Sequence, residues 1–336
     1  MAKTAADTMD PVTASAVYNQ AALLASDVDL PGLAVELCYQ HANAYLYAAP
    51  LTAEVAIRAL EPVVNLARLE TRAQHGDVGL DLLLRLAEAV AGGTSLYFGY
   101  VRVPEDLLRS ADARREVHAW LWRVLLADGS RALTGAGRWN DALTHVQKHH
   151  GIGARMFDGR QIAVIYSLTT GESATAAELI AETTVGDRWE QAVTSCLDAV
   201  WHRTFAELNS TNELAETVLA VPSEPGTVLF DIRLGLTALH TIGPGPAAER
   251  LVHALHRRIT RAADGASARE AHGDAHFSAL ATKKELESCR DLVEACGLGS
   301  GELPTPLRRD LISAVEISDR VIRRSLRAGL NPGFGR

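Results

Sequence analysis

Two segments of the chain carry the pattern that decides its fold class. They are Gly137-Arg-Trp-Asn-Asp-Ala142-Leu-Thr-His-Val146 and Gly171-Glu-Ser-Ala-Thr-Ala176-Ala-Glu-Leu-Ile180. When their glycines are aligned, the alanine five places on and the branched apolar residue nine places on also coincide, so the pattern recurs after 34 residues. That period is typical of helical hairpins that stack on one another. Because a single hairpin cannot bury its apolar face, the sequence predicts a stacked array with a concave surface.

Composition points to the same fold class. Of the 336 residues, 47 % are hydrophobic but only 5 % are aromatic. The apolar residues are mostly Ala, Leu and Val. Ala and Leu are strong helix formers, and the small Ala side chain lets neighbouring helices approach closely. We therefore expect an all-α chain.

The charge balance disfavours one class of partner. The formal net charge is −8, from Lys+Arg 33 and Asp+Glu 41. Proteins that bind nucleic acid usually present a basic surface to the phosphates, so we expect no nucleic-acid partner. The longest apolar run, residues 80–90, contains Asp81, Arg85 and Glu88. It is an amphipathic helix that cannot span a bilayer, and we expect no membrane association.

Cysteine usage and the start of the chain bear on the compartment. The four cysteines are scattered and form no Cys-x-x-Cys motif. Buried thiols in a reducing compartment are the default interpretation of such a pattern. The first residues show no basic region followed by an apolar core, so they do not form a signal peptide. A cytoplasmic location is therefore expected.

The chain shows no low-complexity linker, and this favours one continuous domain. We expect a disordered tail over residues 1–9 and a single helical-repeat domain over residues 10–330. Within that domain the repeats are clearest over residues 50–205, and residues 206–330 form a divergent helical part. The last six residues, 331–336, contain Pro and two Gly and are expected to fray.

Local signals mark several element boundaries. Asp10-Pro11 predicts a helix start, with the acid as cap and the proline in the first turn. Pro62 is expected to kink or split a helix over residues 52–75. The aromatic and β-branched stretch 95–103 is expected to be extended, as a loop or a short β-hairpin. A single long helix is expected over residues 268–295.

The region of residues 50–205 resembles tetratricopeptide-repeat proteins. Ala142 and Ala176 stand where such a repeat needs a small side chain for close helix contact. The phrases Ala119-Trp-Leu-Trp-Arg123 and Gly137-Arg-Trp-Asn-Asp-Ala-Leu are similar to the helical-repeat portions of actinobacterial regulators and accessory proteins. Many of those regulators begin with a helix-turn-helix domain. Here the residues before the first long helix are too few to hold one.

The resemblance implies a right-handed superhelix that holds a peptide or protein in its concave groove, with no bond made or broken and no cofactor. A second copy of this chain is an alternative occupant of the groove. Such grooves use Asn and Arg to bind a peptide backbone or carboxylate, and aromatic side chains as flat walls. The candidates for these roles are Tyr45, Asn65, Arg68, Trp120 and Arg123.

An alternative function is an enzyme of specialised metabolism on a helical scaffold. His272, Asp274 and His276 place three acid–base or metal-ligating side chains within five residues. On an unbroken helix Asp274 would point away from the two histidines, whereas a break at the intervening glycine would permit a metal loop. His145 and His149, four residues apart, could hold zinc from one helix face, but a catalytic zinc also needs a third ligand, and the helix has no His-Glu-x-x-His motif. For both clusters, the simpler interpretation is a polar helix surface or end.

Other catalytic classes find no support in the sequence. There is no Asp-Asp pair of the kind that holds magnesium in class I terpene cyclases. The phosphate-binding loop Gly-x-x-x-x-Gly-Lys-[Ser/Thr] and the nucleophile elbow Gly-x-Ser-x-Gly are also absent. Trp139 and Trp189 occupy equivalent places in the echoed Arg-Trp helix starts, and we interpret both as packing residues between neighbouring helices.

Overall fold

The computed structural model describes residues 1–206, 211–224 and 226–330. Regular structure in these ranges is helical apart from two short strands, so the all-α prediction is confirmed. No helix in the described part of the chain combines the length and the apolar character needed to cross a bilayer. The segment 331–336, expected to fray, lies outside the described residues.

The chain divides into two compact units, and each has its own apolar core. The first unit comprises Met1–Arg138 and the C-terminal part of the chain from Gly299 onward. Its helices are α1 (Ala2–Thr8), α2 (Pro11–Asp27), α3 (Pro31–Leu46), α4 (Ala53–Arg72), α5 (Gly76–Gly92), α6 (Ala111–Val124), α7 (Ser130–Gly135) and α18 (Thr305–Leu330). A π-helical turn, Leu125–Gly129, joins α6 to α7.

Helices α2, α3 and α4 pack side by side at the centre of the first unit. Alanines with no exposed surface, such as Ala34, Ala42 and Ala56, lie in this core and let the helices approach closely. Asp10 begins α2 as expected, and its side chain accepts hydrogen bonds from the backbone N–H groups of Val12 and Thr13. The alanine-rich composition therefore has a direct structural consequence.

Two expectations for the first unit need correction. Helix α4 continues through Pro62, which is buried inside it, so the expected split does not occur. The disordered tail expected over residues 1–9 is helix α1, which packs against α2 and α18. Its Ala5 has no exposed surface, because a small side chain fits between the helices.

The extended stretch near residue 100 is an antiparallel hairpin of β1 (Leu96–Phe98) and β2 (Val101–Val103). Leu96 lies opposite Val103, and Phe98 lies opposite Val101. The side chains of Phe98, Val101 and Val103 are buried in the core of the first unit. The residues of this stretch thus form the hairpin that their β-branched and aromatic character favours.

The second unit comprises Trp139–Leu298. Its helices are α8 (Trp139–Lys148), α9 (Asp158–Thr170), α10 (Ser173–Ala181), α11 (Arg188–Phe205), α12 (Thr211–Leu219), α13 (Val228–Ile242), α14 (Pro246–Ala262), α15 (Gly265–Gly273), α16 (Ala275–Leu280) and α17 (Lys283–Ala295). Phe277, Ile232, Leu239 and Leu251 are among the large side chains fully buried in its core.

The residues that define the 34-residue pattern behave locally as helical hairpins require. Gly137 and Gly171 have φ values of 71° and 79°, a left-handed conformation that suits glycine after a helix end. Ala142 and Ala176 have no exposed surface. Helix α9 packs against both α8 and α10. The winding of such hairpins into a right-handed superhelix, and the single domain over residues 10–330, stay predictions.

The prediction of one long helix over residues 268–295 is wrong, because three helices occupy this stretch. Asp274 lies between α15 and α16, and its Oδ1 accepts a hydrogen bond from the N–H of Phe277 at 2.8 Å. Thr282 begins α17 in a capping box with Glu285. Side chains that cap a helix start therefore prevail over helical periodicity here.

Candidate functional site

A cavity of about 600 Å³ opens on the second unit. It lies where α9, the start of α11, the connection between α12 and α13, and the start of α13 meet. Its walls include the side chains of Asp158, Asp187, Trp189, Glu224, Phe230 and Asp231. We refer to this cavity as the Trp189 pocket. Its volume falls in the range that ordinary ligand sites occupy.

Aromatic rings form a corner in the Trp189 pocket. The ring of Trp189 lies 5.7 Å from that of Phe230, centroid to centroid, at an interplanar angle of 87°. Phe157 stacks on Trp189 at 6.0 Å and 27°, and the guanidinium group of Arg155 lies 4.8 Å from the centre of the Phe157 ring. Phe157 and Phe230 are 47 % and 40 % exposed. In such an edge-to-face pair one ring directs its edge at the other, and the two rings together place aromatic surface beside the cavity.

The position of Trp189 is fixed by the start of α11. The Oε1 atom of Glu190 accepts a hydrogen bond from the backbone N–H of Asp187 at 3.0 Å. The buried Glu190 carboxylate also accepts a hydrogen bond from Nε of Arg155 at 3.0 Å, and Arg155 contacts Asp187 at the same distance. The hydrogen bond from Arg155 holds the pKa of Glu190 below its usual range. Trp189 therefore projects from a helix end held by charged hydrogen bonds.

Carboxylates dominate the polar lining of the pocket. Asp158, Asp187, Glu224 and Asp231 line it, and Arg188 is the one cationic side chain among the described residues that do so. Asp231 is buried, and burial raises the pKa of its carboxyl group. Asp187 is paired with Arg155, but Asp158, Glu224 and Asp231 still outnumber Arg188, and this excess of acids favours a ligand with positive charge.

The connection between α12 and α13 forms one wall of the pocket. The side chain of Arg258, in α14, binds this connection through hydrogen bonds. Nη2 of this side chain donates to the carbonyl oxygens of Leu219 and Val221, at 2.6 and 2.9 Å. Thr227 donates a hydrogen bond from its hydroxyl group to Asp231 at 3.3 Å. The described parts of this wall are thus attached to α13 and α14 by side-chain hydrogen bonds.

A second group of functional side chains lies at the other end of α13. His240, in the last turn of α13, Asp274 and His276 bring ligating atoms within 4.8 Å of one another. Nε2 of His240 lies 2.6 Å from Oδ2 of Asp274. The centroids of the His240 and His276 rings are 4.1 Å apart. We call these residues the His-Asp-His cluster.

The cluster contains two of the three residues expected in the alternative catalytic site. Helix α15 ends at Gly273, as a metal loop requires, and the next helix begins at Ala275. This arrangement brings Asp274 and His276 together. His272 is not a member of the group, and His240 takes the third place. His240 was missed because it is distant in sequence and only the packing of α13 beside α15 and α16 brings it near.

The other predicted metal pair is close but incomplete. The rings of His145 and His149 lie 4.7 Å apart on α8, as their spacing predicts. Burial lowers the pKa of His149. Within the described residues, no third His, Cys, Asp or Glu completes a metal-ligating group with them.

The structure places the predicted wall residue Tyr45 inside the first unit. Tyr45 is 1 % exposed, and its hydroxyl oxygen lies 2.6 Å from that of Ser15 and 3.2 Å from the carbonyl oxygen of Pro11. Its ring lies near that of His41, 5.8 Å between centroids. Tyr45 thus contributes to the core.

The other predicted partner-binding residues also lie in the first unit. Asn65 donates a hydrogen bond to Asn19, and Arg68 donates to both carboxylate oxygens of Asp128 at 2.8–3.1 Å. Trp120 is partly buried against the core, and Arg123 is exposed. None of these residues lines the Trp189 pocket. Their role in partner binding stays a prediction.

The sequence contained one signal for the pocket, at Trp189, but we interpreted it as a packing residue. The Arg188-Trp189 helix start echoes Arg138-Trp139, and it led to an interpretation of both tryptophans as packing residues. Trp189 does pack against the core of the second unit, and it also forms a pocket wall. Phe230 carries no distinguishing local signal, because only the fold brings it to Trp189.

The chain matches no protein-family model, no curated protein and no solved structure. Its functional interpretation therefore depends on the chemistry of its own side chains. The resemblance to tetratricopeptide repeats stays an expectation.

Proposed function

We propose that this protein binds a peptide or protein partner, and that the Trp189 pocket receives a Lys or Arg side chain of that partner. The observation that carries the proposal is the perpendicular pair Trp189 and Phe230 in a cavity with an excess of carboxylates. No bond is made or broken in this function.

The aromatic corner favours a cation with an apolar stem. A cation over an aromatic face contributes about 0.5–1 kcal/mol when exposed and about 2 kcal/mol when desolvated. The methylene stems of Lys and Arg lie well against apolar rings while the charged head reaches polar groups. Trp189 and Phe230 offer such rings, and Asp158 and Glu224 offer the carboxylates. An anionic ligand would meet repulsion from the same carboxylates.

The size of the pocket favours a side chain within a longer segment. A volume of about 600 Å³ exceeds that of one Lys or Arg side chain, so neighbouring groups of the ligand also fit. Phe157, stacked on Trp189 outside the pocket lining, is 47 % exposed but carries the guanidinium group of Arg155 over its ring, so the apolar stem of the ligand is expected against Trp189 and Phe230. The net charge of −8 also attracts a basic partner over a distance.

The test is fluorescence polarisation with labelled peptides that differ only at a central residue, which is Lys, Arg, norleucine or Glu, in an Ala-Leu-Ser background. We expect Lys and Arg peptides to bind on the order of tenfold more tightly than the norleucine peptide, since one cation–aromatic contact supplies about that factor. The Glu peptide should not bind. A free polyamine is then tested as a competitor of the bound Lys peptide. If residues on either side of the lysine also contact the protein, the polyamine should displace the peptide only weakly.

Variants locate the binding. Trp189→Leu and Phe230→Leu keep an apolar side chain but remove the ring. Each should therefore weaken binding of the Lys peptide on the order of tenfold. Glu224→Gln should weaken binding and reduce its salt dependence. Trp139→Leu is the matched control, because Trp139 occupies the equivalent helix start outside the pocket. The proposal fails if no peptide prefers a cation, or if Trp139→Leu weakens binding as much as Trp189→Leu.

A further inference from the structure

We infer that His240, Asp274 and His276 form a binding site for a divalent transition-metal ion such as Zn²⁺. The site is separate from the Trp189 pocket and does not depend on partner binding. Within the described part of the chain, it is the one group of three His, Cys, Asp or Glu side chains whose ligating atoms lie within 4.8 Å of one another.

The spacing of the ligating atoms is close to what a metal ion requires. Zn–N and Zn–O bonds of about 2.0–2.2 Å in a tetrahedral arrangement separate neighbouring ligand atoms by about 3.3 Å. The atoms of the cluster span separations from 2.6 Å to at most 4.8 Å. Both imidazole rings are exposed to solvent, so packing does not enclose them and they can adjust by rotation of their side chains.

The carboxylate is held in place by the backbone. Asp274 Oδ1 accepts the hydrogen bond from the N–H of Phe277, and this leaves Oδ2 directed toward His240. Phe277 has no exposed surface and fixes α16 to the core. A ligating carboxylate that is oriented by a second hydrogen bond is a recurring feature of protein metal sites.

The donor set and the exposure indicate the kind of ion and site. Two imidazole nitrogens and one carboxylate oxygen suit Zn²⁺ and its neighbours in the transition series. The side chain of His240 is half exposed, whereas that of Asp274 is mostly buried. Solvent therefore reaches the ion and fills the remaining coordination positions, as in open three-ligand sites.

A simple hydrogen-bonded pair does not account for the whole cluster. His240 and Asp274 alone would form such a pair, as His253 and Glu285 do at 2.7 Å between Nδ1 and Oε1, although Nδ1 of His256 also lies 3.8 Å from that Oε1 atom. The pair gives no role to His276, whose ring lies 4.1 Å from that of His240 at 44°. A metal ion uses all three side chains. Glu285 with His253 and His256 is a useful internal control, because among the described residues only the His-Asp-His cluster has all three ligating atoms within 4.8 Å of one another.

The test is calorimetric titration of the full, metal-free chain with ZnCl₂ at constant pH. We expect about one equivalent of Zn²⁺ to bind. His240→Ala and His276→Ala should each weaken binding on the order of 100-fold, since even residues that only orient a ligand contribute about 10- to 100-fold. Asp274→Asn should do the same, while its amide oxygen still caps α16. Circular dichroism checks that each variant keeps its helix content.

Controls separate this cluster from other histidines. His272→Ala removes the histidine nearest to the cluster in sequence. His253→Ala removes the imidazole that binds the carboxylate of Glu285. Both should leave the zinc affinity unchanged within about twofold, as expected for residues that do not ligate the ion. With Co²⁺, the wild type should show the visible absorption of a four-coordinate ion, and His276→Ala should lose it. Absence of zinc binding, or binding that survives His240→Ala or is lost in His253→Ala, would overturn the inference.

Discussion

The buried histidine of the first unit should make that unit sensitive to mild acid. His41 is 1 % exposed, and its ring stacks on Tyr18 at a centroid distance of 4.8 Å and an interplanar angle of 3°. Among the residues that the structure describes, none offers a hydrogen-bond partner to its Nε2 atom. Burial lowers the pKa of His41 to about 3, because the charged imidazolium would lose its hydration in this core. The neutral ring is therefore the form that the folded protein holds.

The sign and size of the effect follow from proton linkage. In the unfolded chain the histidine pKa is about 6.5, so between pH 6.5 and pH 3 the unfolded chain binds a proton that the folded chain does not. The free energy of unfolding therefore falls as the pH falls through this window. From pH 7 to pH 5 the loss is about 2 kcal/mol for this single group. Since pH 5 lies well above the folded pKa, the loss at that pH depends almost entirely on the unfolded value.

The assay compares urea unfolding of the wild type and His41→Phe at pH 7 and pH 5, followed by circular dichroism. Phenylalanine keeps a flat ring against Tyr18 but does not titrate, so the variant should lose about 2 kcal/mol less than the wild type on acidification. His118→Phe, at an exposed position of the same unit, is the control and should follow the wild type. Other acid-sensitive groups cancel in the comparison. Equal losses in wild type and His41→Phe, or a His41 proton resonance that titrates near pH 6.5, would refute the reasoning.

Two further predictions concern the packing of the first unit. In Gly79→Ala the new Cβ would lie 2.6 Å from a backbone carbonyl oxygen of α4, so we expect a loss of about 1–3 kcal/mol in urea unfolding. Gly32→Ala, where the new Cβ would have no described atom within 4 Å apart from its chain neighbours and the backbone of its own helix, should instead gain about 0.5 kcal/mol; the reverse order would contradict the close α4–α5 contact. Asp128→Ala removes the buried carboxylate that binds Arg68, and should cost about 1.5–3 kcal/mol in the same assay. Arg131→Ala removes only an exposed partner of Asp128 and should cost less than about 1 kcal/mol, so equal losses would contradict the assigned burial.

Local physical chemistry explains which parts of the fold were predictable. The cap at Asp10 is a property of a few neighbouring residues, and the structure has it where the sequence places it. The error over residues 268–295 has the opposite origin. Asp274 and Thr282 can lie within a helix or cap a new one, and their sequence neighbours do not decide between these outcomes.

The candidate sites were less predictable because distant segments meet in them. Asp274 and His276 are two residues apart and could be paired by inspection, but His240 joins them only through the packing of α13. Tyr45 shows a related difficulty. An aromatic residue on the apolar side of a helix faces either a groove or the core, and hydrophobic periodicity is the same for both.

Helix α13 connects the two proposed sites within the second unit. It carries Phe230 in its first turn and His240 in its last, and ten residues of helix separate these positions by about 15 Å. Coupling between sites needs an element with two arrangements that both ligands bias. Ile232 and Leu239 lie between them with no exposed surface, so this stretch of α13 packs against the core of the second unit. Peptide binding and metal binding should therefore be independent, and because linkage is reciprocal, neither ligand should change the affinity for the other.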